Sequence, residues 1–242
     1  GTVQRQQARI DTTGKLLTDL LSSMLGLHSK SAPKYGSEKS GAATNYYITL
    51  SPEPVLITNA ELEDVEVVVA PDHMVFSHTN PLKGLVAGGT LIMQSDAAPL
   101  EVWKGLPAFA RRVIRERNIR FLVVDAFAIA RSHAPNPELE TRMMGIAFIG
   151  AILGNVEGIA RAGAEAEMAD EVRAELTKKF GRRGEQVVAA NMAVIHDGMK
   201  ATVVDYTDPS FELAEAEQLR EARPALSALM SPTVGAARTS GL

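Results

Sequence analysis

The chain has 242 residues, of which 45% are hydrophobic, and its formal net charge at pH 7 is −4. This length and apolar content suffice for a sizeable core, arranged either as one α/β domain with an appendage or as two domains. The acidic balance argues against non-specific nucleic-acid binding. The absence of cysteine excludes disulfides, thiolate metal sites and iron–sulfur clusters held by this chain itself.

The N-terminal part is predicted to begin with a helix and to continue into a strand. Leucine and methionine recur at helical spacing between Leu16 and Leu25, inside a helix predicted over residues 2–30 with a break at residues 11–15. Residues 44–50 have the alternation of a strand, which the following Ser-Pro-Glu-Pro ends because proline cannot donate a ladder hydrogen bond. The first residues show no secretory signal, so we expect a cytoplasmic protein.

Strands and helices alternate through the middle of the chain. The predicted strands cover residues 64–70, 89–95 and 119–126. The predicted helices between them cover residues 80–89, where Gly88 and Gly89 are interpreted as the helix end, and residues 106–117. Such alternation indicates a parallel sheet with right-handed crossovers. The predicted fold class is therefore α/β, a mostly parallel sheet with flanking helices, followed by C-terminal helices and an extended tail.

Two of the predicted helices differ in how much of their surface is apolar. The helix over residues 106–117 is predicted to expose its arginines and to bury one stripe of apolar side chains. That stripe consists of Leu106, Phe109, Ala110, Val113 and Ile114. The helix over residues 140–154 is apolar nearly all round and too short to span a bilayer, which needs about 20 apolar residues. It is either a core helix or a helix partly buried against another subunit.

The C-terminal part is predicted to hold two more helices, residues 164–180 and 184–196. The turn between them contains Arg182 and Arg183, which could contact an anion but are interpreted as a solvated turn. From Asp205 onward the chain is acidic and then rich in Ala, Pro, Gly and Ser. Such a composition cannot offset its ordering entropy alone, so we expect this tail either to stay mobile or to wrap a partner.

Several polar residues follow the predicted strand 64–70, namely Asp72, His73, Ser77 and His78. Ligands of open α/β sheets bind outside the carboxyl ends of the strands, so this position is informative. The i, i+5 spacing of the histidines does not match a helical metal motif, and no G-x-S-x-G elbow surrounds Ser77. These residues are interpreted as sheet-capping loop residues rather than as a metal or hydrolase site.

A second group of polar residues precedes the strand at 44–50. Lys34 and Lys39 bring positive charge, and Ser40 with the backbone N–H groups near Gly41 can donate to a phosphate or carboxylate group. Composition alone is equally consistent with an anion-binding loop and with an ordinary surface loop.

Five segments of the sequence resemble, in the same order, segments of the gamma domain of 2-oxoacid:ferredoxin oxidoreductases. Residues 35–41, Tyr-Gly-Ser-Glu-Lys-Ser-Gly, are similar to the family's Y-x-S-x-K-S-G-G segment, and residues 64–96 to its block that ends in L-K-E-G-G-T-L-L-L-N-S. Residues 116–130, 142–153 and 178–198 resemble the strand, the helix and the closing segment that follow in the family. The resemblance covers about residues 14–198.

This resemblance implies a Rossmann-like gamma subunit over residues 1–200, with residues 201–242 as an extension that wraps a partner subunit. Such enzymes decarboxylate a 2-oxoacid, pass electrons to ferredoxin or another acceptor, and transfer the acyl group to coenzyme A. It further implies that alpha-, beta- and delta-type subunits hold thiamine diphosphate, Mg²⁺ and [4Fe–4S] clusters, and that this chain alone binds no cofactor and is not catalytic. The alternative is a free-standing α/β module that binds an anion or nucleotide without catalysis.

The resemblance of residues 35–41 to the family's loop also implies which residues of this chain face coenzyme A. The Y-x-S-x-K-S-G pattern places Tyr35, Lys39, Ser40 and Gly41 on that loop, with Lys34 beside them. Ala42 stands where the family often has a second glycine, a departure that weakens the expectation of close backbone contact with a phosphate.

Overall fold

The computed structural model describes residues 2–34, 45–55, 63–160 and 165–229. The helices are α1 (Thr2–Leu25), α2 (Val75–His78), α3 (Pro99–Gly105), α4 (Ala108–Glu116), α5 (Ala126–His133), α6 (Pro137–Asn155), α7 (Glu165–Phe180), α8 (Glu185–Gly198) and α9 (Pro209–Leu229). The strands are β1 (His28–Lys34), β2 (Asn45–Ser51), β3 (Val65–Ala70), β4 (Leu85–Gln94), β5 (Arg120–Val124) and β6 (Thr202–Val203). The chain divides into two compact units, residues 1–204 and 205–242.

A four-stranded sheet with the order β3-β4-β5-β6 organises the first unit. β3, β4 and β5 are parallel, and β6 pairs antiparallel with β5. The central strands are the most deeply buried, with Leu91, Ile92, Phe121 and Leu122 each 0% exposed. Apolar runs buried on both faces are typical of parallel strands covered by helices. The α/β fold class predicted from the sequence is confirmed.

α6 is a core helix of this chain. Eight consecutive residues, Ile146 to Leu153, are buried, and α6 packs against α5, α8 and α1. The contact with α8 is close because glycines face backbone on both helices. A Cβ at Gly150 would overlap the carbonyl of Ile195, and a Cβ at Gly198 would overlap the carbonyl of Ala147. The apolar surface of α6 is therefore covered without any second subunit.

α1 differs from its prediction at two points. It runs without a break through residues 11–15. Gly14, which suggested the break, instead makes room for the ring of Tyr46 on β2, which a Cβ at that position would overlap. It ends at Leu25 rather than at residue 30, since Gly26 has a φ of 60° and turns the chain out of the helix.

β1 follows that turn and was not predicted, because its sequence His-Ser-Lys-Ser-Ala-Pro-Lys has neither apolar alternation nor β-branched residues. It forms an antiparallel hairpin with β2, in a register that runs from His28 opposite Ser51 to Lys34 opposite Asn45. The two strands form a sheet separate from the parallel one. Lys34 therefore ends a strand rather than following a helix.

The helix predicted over residues 80–89 is wrong. Asn80 Oδ1 accepts a hydrogen bond from the backbone N–H of Leu82 at 3.1 Å in a turn, and β4 already begins at Leu85. Gly84 and Gly88 have φ values of 78° and 74°, the left-handed conformation that glycine adopts readily. This conformation is common after a helix, but here no helix directly precedes either glycine. The glycines that suggested a helix end instead mark the turn and an irregularity at the start of β4.

The second unit contains α9, which the sequence did not predict. The Asp208 carboxylate accepts hydrogen bonds from the backbone N–H and hydroxyl of Ser210 at 2.8 and 2.6 Å, which begins the helix. These bonds lower the pKa of Asp208. Residues 230–242 lie outside the described residues. Across the described part of the chain, no helix has the length and apolar content needed to cross a membrane.

Candidate functional site

The carboxyl edge of the parallel sheet is the candidate functional site. Ala70 of β3 pairs with Met93 of β4, and Gln94 of β4 pairs with Val124 of β5, so the three strands end at the same edge. Each strand leads into a polar turn there. Open α/β sheets bind their ligands outside this edge.

Gln94 connects the ends of β4 and β5. Its side chain is 4% exposed, and its Oε1 accepts a hydrogen bond from the backbone N–H of Ala126 at 2.9 Å. Its Nε2 donates to Asp125 Oδ1 at 3.3 Å, and the same oxygen caps α5 by accepting from the N–H of Ala128 at 3.1 Å. Both ends of the amide are thus used in fixing the turn from β5 into α5. Gln94 is thus a positioning residue at this edge, and no spacing in the sequence indicated it.

The loop after β3 is exposed. Asp72 Oδ1 accepts from the N–H of Met74 at 2.9 Å, and His73 Nδ1 lies 3.8 Å from the same oxygen. Ser77 and His78 end the one-turn helix α2. Within the described residues, no three His, Asp or Glu side chains are grouped closely enough to hold a metal ion. This placement agrees with loop residues that cap the sheet.

Aromatic and apolar side chains are exposed near the same edge. Phe76 of α2 and Phe109 of α4 contact edge to face, with ring centroids 6.3 Å apart and an interplanar angle of 68°. Phe109 is 39% exposed, Phe127 41% and Met74 49%. The prediction that Phe109 belongs to the buried stripe of α4 is therefore wrong. Phe109 instead extends an aromatic pair toward solvent.

The arginines of α4 also differ from prediction. Only Arg112 is well exposed within the helix, while Arg111 and Arg115 are half-buried. The Arg115 guanidinium lies 4.8 Å from the centroid of the buried Trp103 ring, a cation–π contact. Just after α4, Arg117 donates to the carbonyls of Leu82 and Leu85 at 3.3 and 2.9 Å. These side chains attach α4 to its neighbours rather than facing water alone.

The loop predicted to bind an anion is the connection between β1 and β2. Lys34 is the last residue of β1, and its backbone lies opposite Asn45. Tyr35, Lys39, Ser40 and Gly41 fall within residues 35–44, which lie outside the described residues. The assignment of these five residues to a coenzyme A contact stays a prediction.

A second polar cluster joins the ends of α5 and α8, and no sequence spacing indicated it. His133 Nε2 donates to Asp197 Oδ2 at 2.6 Å, while Lys200 Nζ and His196 Nδ1 lie 3.1 and 3.4 Å from Asp197 Oδ1. The hydrogen bond from His133, followed by that from Lys200, lowers the pKa of Asp197 to about 2. The cluster joins the C-terminal ends of α5 and α8, and the lowered pKa keeps the Asp197 carboxylate ionised near neutral pH.

A cleft of about 510 Å³ lies between the starts of α6 and α8. Arg183 of the Gly-Arg-Arg-Gly turn lines it together with Glu138 and Glu185. Both carboxylates face other arginines, Glu138 lying 3.8 Å from Arg142 and Glu185 3.2 Å from Arg173. Arg182 and Arg183 are both exposed, which agrees with the interpretation of this turn as solvated.

One family model matches most of this chain. The family described as pyruvate ferredoxin/flavodoxin oxidoreductase matches residues 10–201. A pyruvate-flavodoxin oxidoreductase of Trichormus variabilis is 27% identical over 163 residues, which cover 66% of this chain and 13% of the relative. A putative pyruvate-flavodoxin oxidoreductase of Synechocystis sp. is 22% identical over 191 residues, which cover 78% of this chain and 15% of the relative. This chain thus spans only about one seventh of these curated relatives.

Solved structures show the same fold. The pyruvate oxidoreductase subunit PORC of Thermotoga maritima superposes with a TM-score of 0.54 at 19% identity, covering 80% of this chain and 90% of that one. The gamma subunit of a keto/oxoacid ferredoxin oxidoreductase from Geobacter sulfurreducens gives a TM-score of 0.51 at 15% identity, covering 78% and 88%. A 2-oxoglutarate:ferredoxin oxidoreductase from Magnetococcus marinus, solved with 2-oxoglutarate, coenzyme A and succinyl-CoA, gives 0.51 at 16% identity, covering 77% of this chain and 27% of that one.

Proposed function

Because this chain belongs to the pyruvate ferredoxin/flavodoxin oxidoreductase family, we propose that it is the gamma-type subunit of a 2-oxoacid:acceptor oxidoreductase. The complex would oxidatively decarboxylate a 2-oxoacid to acyl-CoA, or run the reverse reaction. The observation that carries this proposal is the family match over residues 10–201, supported by the similar fold of a gamma subunit from Geobacter sulfurreducens.

The residues of this chain do not fit the iron–sulfur clusters of that reaction. Iron–sulfur clusters are held by cysteine thiolates, and the chain has no cysteine. We therefore assign the [4Fe–4S] clusters to other subunits of the complex. The resemblance to the family assigns thiamine diphosphate and Mg²⁺ to alpha-, beta- and delta-type subunits as well, where these groups would supply decarboxylation and electron transfer. Ferredoxin or another acceptor would reach the complex through those subunits.

The part that we assign to this chain is assembly and the coenzyme A side of the active site. The loop with Lys34, Tyr35, Lys39, Ser40 and Gly41 combines two ammonium groups with hydroxyl and backbone donors, a set that suits the phosphates of coenzyme A. The rigid scaffold for this loop is the β1–β2 hairpin, which packs on α1. The chain would thus position one end of a substrate whose carbon chemistry takes place on another subunit.

The test is to purify the tagged chain from its own source and to identify what accompanies it. We expect larger subunits with bound thiamine diphosphate and the broad visible absorbance of iron–sulfur clusters. The complex should reduce a viologen dye only when a 2-oxoacid and coenzyme A are both present. A panel of pyruvate, 2-oxoglutarate and aryl pyruvates would identify the substrate.

Reconstitution separates this proposal from a free-standing binding module. The other subunits without this chain should lose coenzyme A-dependent turnover, and adding the chain back should restore it. The chain by itself should oxidise no 2-oxoacid. Turnover by the isolated chain, or a chain that purifies without any accompanying subunit, would overturn the proposal.

A further inference from the structure

The β1–β2 hairpin contacts the rest of the first unit through α1. It forms a sheet separate from the parallel one, and both of its strands pack on α1. Successive side chains of a strand point to opposite faces, so Tyr46, Ile48 and Leu50 share one face of β2. The Tyr46 ring meets α1 at Gly14, and Leu50 packs against the buried core. This face of β2 therefore attaches the hairpin to the rest of the unit.

Tyr46 is the attachment nearest to the loop that joins the two strands. Lys34 and Asn45 are the last register pair of the hairpin, and the loop of residues 35–44 connects them. Tyr46 comes directly after Asn45, whereas Leu50 lies four residues further along β2, a distance of about 13 Å in an extended strand. Tyr46 thus attaches the end of the hairpin that carries the loop, and Leu50 attaches the opposite end.

The Tyr46 side chain joins three elements. A Cβ at Gly14 would overlap the Cδ1, Cε1 and Cζ atoms of the ring, so the ring lies on the bare backbone of α1. That backbone is fixed locally, because the Gly14 carbonyl accepts a hydrogen bond from the buried Thr18 hydroxyl at 2.7 Å. At the other end of the ring, the Tyr46 hydroxyl forms a hydrogen bond of 2.9 Å with Ser31 Oγ of β1. Movement of this ring therefore moves both strands relative to α1.

We propose that Tyr46 is a positioning residue, which sets the location of residues 35–44 through its ring contact with Gly14 and its hydrogen bond with Ser31. This role rests on the proposed function, in which that loop meets the phosphates of coenzyme A. Tyr46 acts on coenzyme A through the loop rather than by touching it. Displacing a binding group by about 1 Å can cost up to about 100-fold in activity, so a small shift of the hairpin should weaken the use of coenzyme A. The 2-oxoacid, which reacts on another subunit, should be affected little.

Gly14→Ala tests the contact without removing any side chain. Alanine is a better helix former than glycine, so α1 stays folded while the new methyl group displaces the Tyr46 ring. Hydrogen exchange of the assembled complex should become about tenfold faster in β1 and β2 and stay unchanged in β4 and β5. The KM for coenzyme A should rise about fivefold, and the KM for the 2-oxoacid should change by less than about twofold. A general loss of structure would instead lower activity toward both substrates.

Variants of Tyr46 and of its neighbour show whether the effect passes through the ring. Tyr46→Ala should match Gly14→Ala, while Tyr46→Phe, which keeps the ring and loses only the bond to Ser31, should raise the KM for coenzyme A no more than about twofold. Tyr47→Leu is the matched control, because Tyr47 lies on the opposite face of β2 and should change neither the exchange rates nor the KM values. Adding Gly14→Ala to Tyr46→Ala should have no further effect, since no ring is left to displace.

Wild-type exchange of the hairpin in Gly14→Ala, or a wild-type KM for coenzyme A in that variant, would overturn the positioning role of Tyr46. Additive effects of Gly14→Ala and Tyr46→Ala would do the same, as would a Gly14→Ala chain that no longer assembles, because Tyr46 would then serve the subunit interface. Lys39→Ala separates this role from the function proposed for the loop. If only Lys39→Ala raises the KM for coenzyme A, the loop binds coenzyme A without help from Tyr46. If only Gly14→Ala raises it, Tyr46 positions the hairpin but Lys39 does not meet the phosphates.

Discussion

Gln94 holds Ala126 in place across two strand ends, with its Oε1 accepting the buried N–H of Ala126 at 2.9 Å. Gln94→Leu keeps a similar volume but leaves that N–H without an acceptor, so we expect a loss of about 1–3 kcal/mol in the free energy of unfolding. Urea denaturation measures the loss. Gln186→Leu, at an exposed position of α8, should change stability by no more than about 0.5 kcal/mol.

Gln94→Glu should make stability depend on pH in a defined direction. The introduced carboxyl lies beside Asp125, whose Oδ1 is 3.3 Å from the Nε2 that it replaces. A neighbouring carboxylate raises the pKa of the new group above its unfolded value, so its stabilising protonated form is present at low pH and is lost as pH rises. The difference in unfolding free energy from wild type should therefore grow between about pH 4 and pH 7. A difference independent of pH would contradict this arrangement.

The contact between α6 and α8 should not tolerate a single added methyl group. Gly150→Ala would drive its Cβ into the carbonyl of Ile195, which is backbone and cannot rotate away. We expect a loss of about 3 kcal/mol or more, measured by thermal or urea unfolding. Gly105→Ala is the control, because nothing lies within 4 Å of a Cβ there. It should be neutral or stabilising by up to about 1 kcal/mol.

The helix α6 also shows how much of the fold follows from sequence. The valine- and leucine-rich strands predicted the parallel sheet correctly, because burial on both faces leaves a continuous apolar run. The all-round apolar surface of α6 left a core helix and a helix partly buried against another subunit as alternatives, and its packing against α5, α8 and α1 favours the first. Gly14 and Gly88 were misleading. Gly14 makes room for the Tyr46 ring and Gly88 adopts a φ of 74° within β4, and neither role can be recognised from the residue type alone.

From the sequence, the candidate site could be predicted only as the carboxyl edge of the parallel sheet, without the side-chain hydrogen bonds that form there. The polar residues after β3 indicated the carboxyl end of the sheet, and the structure places them there. Gln94 and Asp125 were missed because they lie 31 residues apart and their contact depends on strand order. His133 and Asp197 are 64 residues apart and meet only because α5 packs on α8. Long-range polar pairs of this kind leave no periodic signal in a single sequence.

Asp197 should contribute to stability at neutral pH and lose that contribution in acid. Its pKa is lowered to about 2 by hydrogen bonds from His133 and Lys200, so the contribution is present above its unfolded pKa and disappears as pH falls from about 4 toward 2. Because its side chain is 35% exposed, solvent screening limits the effect, and Asp197→Asn should cost only about 1 kcal/mol at pH 7.

Urea denaturation at pH 7 and pH 3 checks the Asp197 prediction, since the difference between variant and wild type should shrink at the lower pH. Glu138→Gln is the control. Glu138 is 83% exposed and lies 3.8 Å from Arg142, so its removal should cost about 0.5 kcal/mol or less. An Asp197→Asn cost that is equal at both pH values would show that its ionised carboxylate does not stabilise the fold.

Lys39→Ala tests the loop assigned to coenzyme A and must be made in the assembled enzyme. Removing a positive charge near a phosphate should raise the apparent KM for coenzyme A about fivefold, the effect of ~1 kcal/mol, and leave the KM for the 2-oxoacid nearly unchanged. Lys30→Ala is the matched control, because Lys30 lies opposite Thr49 on the hairpin, four residues before the end of β1. It should alter neither constant.

If Lys39→Ala assembles normally and both KM values stay at wild-type levels, the loop does not contact coenzyme A. If the variant fails to co-purify with its partners, the loop belongs to the subunit interface instead.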